Sequence, residues 1–106
     1  MTLEECEKIR DEIERKIAPI IETFRKERCL DTAAIKELRD FCRRTYPEMR
    51  GRMGNIGSKI AETADYASKT LTSGDVYWLY RGLGGIDAAI STHKDAPGNL
   101  SGSKSE

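Results

Sequence analysis

The sequence predicts an all-α protein, a small antiparallel bundle of about four helices, and three observations carry that prediction. Apolar residues recur at alternating three- and four-residue steps in successive stretches, the spacing that gathers them on one side of a helix. Asp, Ser, Gly and Pro mark the joins between the stretches, where helices start and stop. No stretch alternates apolar and polar residues in the manner of a convincing strand.

The first stretch runs from Thr2 to about Arg28, with Leu3, Cys6, Ile9, Ile13, Ile17, Ile20, Ile21 and Phe24 in helical period. Thr2 reads as its N-cap, with Glu4 and Glu5 in the first turn where the helix dipole favours negative charge. Glu4 and Lys8, Asp11 and Arg15, Glu12 and Lys16, and Glu22 and Lys26 stand four apart with the acid first, the more favourable order for surface pairs. Pro19 has no N–H and its ring collides with the carbonyl four residues back, so a kink is expected near Lys16 to Ala18. The apolar period continues across the proline, which favours a bent helix or two in tandem over a loop.

Arg28 to Leu30 reads as a short turn, and Asp31 as the N-cap of a second helix with Leu30 and Ile35 forming a hydrophobic staple. Ile35, Leu38, Phe41, Cys42 and Thr45 continue its stripe, which should end near Tyr46 because Pro47 disfavours helical geometry in the residue before it. The third helix is expected from Pro47 to about Thr70. Met49, Met53, Ile56, Ile60, Ala64, Ala67 and Leu71 form its inward side. Gly51, Gly54 and Gly57 lie in the same stretch, each costing about 1 kcal/mol against Ala inside a helix. They imply either close approach of another backbone or a flexible, anion-holding loop. After a turn over Leu71 to Gly74, Ser73 or Asp75 caps a fourth helix with Val76, Leu79, Leu83, Ile86 and Ile90 as its seam and Gly82, Gly84 and Gly85 as small interior residues. From residue 93 Pro, Gly and Ser replace the apolar period, so the domain is read as 1–92 with a flexible tail over 93–106.

At 106 residues the chain fits one domain. Lys plus Arg equal Asp plus Glu at 18 each, so bulk charge points to no polyanion, membrane surface or acidic substrate. Three widely spaced cysteines are a poor match to a disulfide framework. With no apolar run of the roughly 20 residues that span a bilayer, the expectation is a cytoplasmic protein.

Chemistry-bearing patterns are sparse. The only histidine, His93, falls in the expected tail, and no CxxC or HxxxH spacing occurs, so no metal or other cofactor is expected, and no enzyme. Cys6 and Cys42 lie on apolar stripes and read as core residues, whereas Cys29 is the cysteine open to a redox role. A helix-turn-helix over Asp31 to Ile60 is disfavoured by Pro47 and three glycines where a regular recognition helix should stand.

Two surfaces remain. The fourth helix carries Tyr77, Trp78, Tyr80 and Arg81 beside its inward seam, with Gly82 and Gly85 leaving room for a partner helix. Tyr, Trp and Arg supply most binding energy at protein interfaces. This favours a non-enzymatic protein-protein interaction module: an adaptor, regulator or inhibitor subunit. The alternative is a binder of nucleic acid or a phosphate-bearing nucleotide through Arg43, Arg44, Arg50, Arg52 and Lys59, the most basic segment of the chain. Its GRMGNIGSK is no P-loop, because Ser58 precedes Lys59 where the motif requires the reverse. A small-residue stripe including Gly54, Gly57 and Ala61 also allows a homodimer by close helix packing.

Overall fold

A computed structural model describes residues 1–95; the rest of the expected tail lies outside the described residues. Every regular element of the described chain is helical: α1 (Leu3–Glu27), α2 (Thr32–Thr45), two single 3-10 turns (Tyr46–Glu48 and Gly51–Met53), α3 (Gly54–Ser73) and α4 (Tyr77–Asp95). Successive helices run antiparallel. Lys16 of α1 reaches Glu37 of α2, Tyr66 of α3 meets Trp78 of α4, and α4 closes on α1 through Arg10 with Asp87 and Glu7 with Lys94.

The start of α1 is fixed by a complete capping box. Thr2 Oγ1 accepts from the Glu5 N–H at 3.1 Å, and Glu5 Oε1 accepts from the Thr2 N–H at 2.7 Å, satisfying two amides that have no partner within the helix. At its other end Arg28 adopts the left-handed conformation (φ 56°) and donates its N–H to the Phe24 carbonyl. Pro19 lies within a single unbroken helix, on its exposed side, where solvent can satisfy the carbonyl that the ring deprives of a donor. Of the expected surface pairs Glu12 with Lys16 and Glu22 with Lys26 form. Arg15 turns to Glu12 instead of Asp11, and Asp11 joins Arg10.

Asp31 caps α2 by accepting from the Ala34 N–H at 3.1 Å. Asp75 caps α4 in the same manner through the Tyr77 N–H at 2.9 Å. Gly74, at φ 75°, closes α3 with its N–H on the Thr70 carbonyl. A helix interior of Ile13, Ile20, Ile35, Leu38, Ile60, Leu79 and Ile86 forms one core with almost no exposed surface. Cys6 and Cys42 are buried in it and Cys29 is exposed.

The third element differs from expectation. Residues 46–53 are not the first turns of α3 but two separate 3-10 turns, with Met49 and Arg50 extended between them and Gly51 at φ 60°. A residue with a Cβ is strained at that φ, which is why glycine stands there. Met49 and Met53 are nevertheless buried as the sequence pattern requires, because three-residue turns preserve the spacing of a helical stripe. The end of α4 also departs from the expected boundary at 92. His93 and Lys94 belong to its last turn, and the helix runs to Asp95.

Candidate functional site

The hairpin of α3 and α4 assembles the densest group of aromatic and cationic side chains. Trp78, half-buried, stacks on Tyr66 with ring centroids 5.6 Å apart and planes 26° from parallel. Tyr77 meets it edge-on at 5.3 Å, and Lys69 Nζ lies 4.4 Å above its ring. Arg81 donates to the Tyr77 hydroxyl at 3.2 Å. Offset and edge-on contacts suit the ring quadrupoles, and a cation over indole adds an attraction of about 0.5–1 kcal/mol at an exposed site. The rings are therefore held by one another and by Lys69. Neither Lys69 nor Arg81 has a carboxylate within ion-pairing distance among the described residues.

The face read from the sequence is divided by the structure. Trp78, Tyr77 and Arg81 belong to the α3 side, joined by Tyr66 and Lys69. Tyr80, 55% exposed, stands on the opposite flank, beside an apolar groove of about 130 Å³ that α1 and α4 form with Ile17, Ala18, Ile21 and Leu83. Gly85 is half-buried beside Lys59 of α3. A Cβ there would touch Lys59 Cδ at 3.6 Å. Gly82 is pressed against Thr63, 2.9 Å from where its Cβ would be, so α3 of the same chain uses this close approach. Gly84 is the open glycine of α4, with no atom within 4 Å.

The described members of the basic segment stand in different settings. Arg43 and Arg44 sit in the last turn of α2, where cations complement the helix dipole, and Arg44 lies over Phe41 at 5.8 Å. Lys59 pairs with Glu62 at 3.6 Å. The side chain of Arg52 lies outside the described part of the structure. Arg50 lines an open cleft of about 630 Å³ at the end of the bundle, with Leu3, Met53, His93 and Lys94. This grouping was not legible from a histidine assigned to the tail. Of the small-residue stripe one member is taken up within the chain, while Gly54 has open space where a Cβ would be. Gly57 is buried beneath Met49, whose Cβ is 2.9 Å from the place of its missing Cβ, and cannot form the expected dimer contact, while Gly54 and Ala61 are half-buried.

Among the described residues no cluster of His, Cys, Asp and Glu could hold a metal ion, and no helix is long and apolar enough to cross a membrane. Comparison with known proteins finds no matching family model, curated relative or solved structure.

Proposed function

We propose that this chain is a non-enzymatic protein-interaction module, an adaptor, regulator or inhibitor subunit, that docks through the aromatic and arginine side chains at the start of α4. The observation that carries the reading is Trp78, clasped by Tyr66, Tyr77 and Lys69 and flanked by the unneutralised Arg81. Rigid aromatics lose little entropy on binding, and an Arg with no carboxylate of its own favours a partner that supplies one. A reducing, cytoplasmic setting is part of the proposal, supported by three free thiols.

The test is capture by a tagged chain from an extract of its source, comparing wild type with Arg81→Glu and with Arg43→Ala/Arg44→Ala. Arg81→Glu is expected to abolish capture with the circular dichroism spectrum unchanged, and the α2 variant to retain it. Undiminished capture by Arg81→Glu refutes the reading. Trp78→Ala is the less clean probe, since loss of its ring contacts also removes about 1 kcal/mol or more of stability.

A second reading has the bundle-end cleft in its favour. Arg50, His93 and Lys94 over a floor of Leu3 and Met53 suit a phosphate-bearing ligand, nucleotide or nucleic acid. Affinity there should fall steeply with salt, and salt-independent binding counts against it.

A further inference from the structure

We propose that the outer face of α4 docks on a second copy of this chain, the two α4 helices pairing antiparallel and crossing at Gly84. The inference rests on the reading of Tyr77 and Arg81 as part of a docking surface, extends that surface across α4 to Tyr80 and Asp87, and names its occupant.

At 100° per residue, Tyr77, Tyr80, Arg81, Asp87, Ala88 and Ser91 all fall within about 60° of Gly84 around the helix. All are exposed, Tyr77 by 49% and Tyr80 by 55%. Between Tyr77 and Ser91 only two of these positions carry charge, with Asp95 a third at the end of the helix. The exposed side of α1, by contrast, is crowded with Lys8, Asp11, Glu14, Arg15, Glu22 and Arg25. A solvated helix in a chain with 34% charged residues has little reason to present tyrosines beside Gly, Ala and Ser unless something covers them.

The order of these residues is self-complementary about Gly84. Bulk lies before it and small side chains after it. A two-fold axis that sets two such helices antiparallel brings Tyr80, four residues before the centre, level with Ala88 of the second copy, four after. Tyr77 comes level with Ser91 of the second copy in the same way. A parallel pairing would set Tyr80 against Tyr80 and Arg81 against Arg81, so size and charge both select the antiparallel one.

Charge complementarity argues for the same occupant. Arg81 finds no carboxylate among the described residues. Asp87 has to share a single guanidinium, that of Arg10, with Asp11 and Glu14, which leaves an excess of negative charge around it. In the antiparallel pair Arg81, three residues before Gly84, lies level with Asp87 of the second copy, three after, and the contact is made twice. Gly84, with empty space where a Cβ would be, lets the axes approach at the short end of the usual 8–10 Å. One helix and its margins cover less than the roughly 800 Å² per partner of a standard interface, so the dimer is expected to dissociate in the micromolar range.

The test is sedimentation equilibrium of the full chain from about 1 to 500 µM. Wild type is expected to pass from monomer to dimer over this range. R81D and D87R should each weaken dimerisation by about tenfold or more, because like charges then face each other twice. Mixed together, R81D and D87R restore opposite charge at both contacts, and a one-to-one heterodimer should recover wild-type affinity. D87R also removes the partner of Arg10, so G84E serves as a second block at a site with room for the side chain in the monomer, and circular dichroism confirms that each variant is folded. Wild type that stays monomeric throughout, dimerisation indifferent to R81D and G84E, or no recovery on mixing each overturns the proposal. A monomeric wild type whose partner capture is still lost in Arg81→Glu removes the second copy as occupant and leaves the docking face standing. Loss of neither overturns both.

Discussion

Two glycines of α4, two residues apart, should respond in opposite directions to the same substitution. Ala in place of Gly inside a helix gains about 0.8–1 kcal/mol from propensity alone. At Gly84 nothing stands within 4 Å of the added methyl, so Gly84→Ala should be stabilising by nearly that amount. At Gly82 the methyl would sit 2.9 Å from both Thr63 Cγ2 and Thr63 Oγ1, and 3.2 Å from Thr63 Cβ. Thr63 has no exposed surface, and its hydroxyl donates to the Lys59 carbonyl at 2.9 Å, so it can neither rotate freely nor swing into solvent. Overpacking of this kind costs about 1–3 kcal/mol. The propensity gain offsets only part of that, and Gly82→Ala should be neutral to destabilised by about 2 kcal/mol. The two variants should differ by about 1–3 kcal/mol, and each kcal/mol moves the melting temperature of a domain this size by about 4–8 °C. Urea unfolding followed by circular dichroism, at concentrations low enough to keep the chain monomeric, measures both. Equal stabilisation by the two substitutions would refute the close α3–α4 contact at Thr63.

Glu5 is expected to make stability depend on acid pH. Its hydrogen bonds with Thr2 hold its carboxyl below the usual glutamate range, so the unfolded chain binds the proton more readily, and the contribution present above the unfolded pKa is lost as pH falls through the folded one. Glu5→Gln, which keeps an acceptor for the Thr2 N–H, should flatten the loss of stability on acidification below the ordinary glutamate pKa; an unchanged acid limb in denaturation curves counts against the capping box. The cysteines should separate by reactivity. Burial pushes the Cys42 thiol up to about 12 and raises that of Cys6, so a thiol reagent at neutral pH should titrate Cys29 alone in the native protein and all three after denaturation. Arg28→Gly should stabilise by about 0.5–1 kcal/mol, because glycine adopts the left-handed cap of α1 without the strain of a side chain. Thermal melts of wild type and variant decide it.

Much of the bundle is written in local pattern. The caps at Thr2, Asp31 and Asp75 and the buried stripes of α1, α2 and α4 follow from residue type and spacing alone. The start of α3 does not, because Met49, Met53 and Ile56 recur at steps that a helix and a pair of three-residue turns satisfy equally well. What separates the two is the positive φ of Gly51, which composition does not reveal. The candidate face was half legible. Trp78 and Arg81 announce themselves by type, but Tyr66 and Lys69 lie off the inward stripe of α3 and carry no such mark. Hairpin register was the signal available. Tyr66 lies six residues before Thr72 and Trp78 six after it, and Lys59 and Gly85 stand thirteen away on either side, so residues equally distant from the turn come level. Tyr80 parts from Trp78 for the converse reason: two positions further along the helix it borders the groove with α1, and sequence proximity on a helix is not spatial proximity.

The guanidinium of Arg10 fastens residues 77 positions apart when it meets Asp87, one helical turn from the pair of Glu7 with Lys94. α3 is in extensive contact with α2 and α4, whereas α1 leans on its neighbours more thinly. The first helix is therefore expected to be the first to peel. Amide hydrogens along it should exchange with solvent ahead of those in the hairpin it covers, and each excursion lays bare the Ile17 and Ile21 flank against which Leu83 rests.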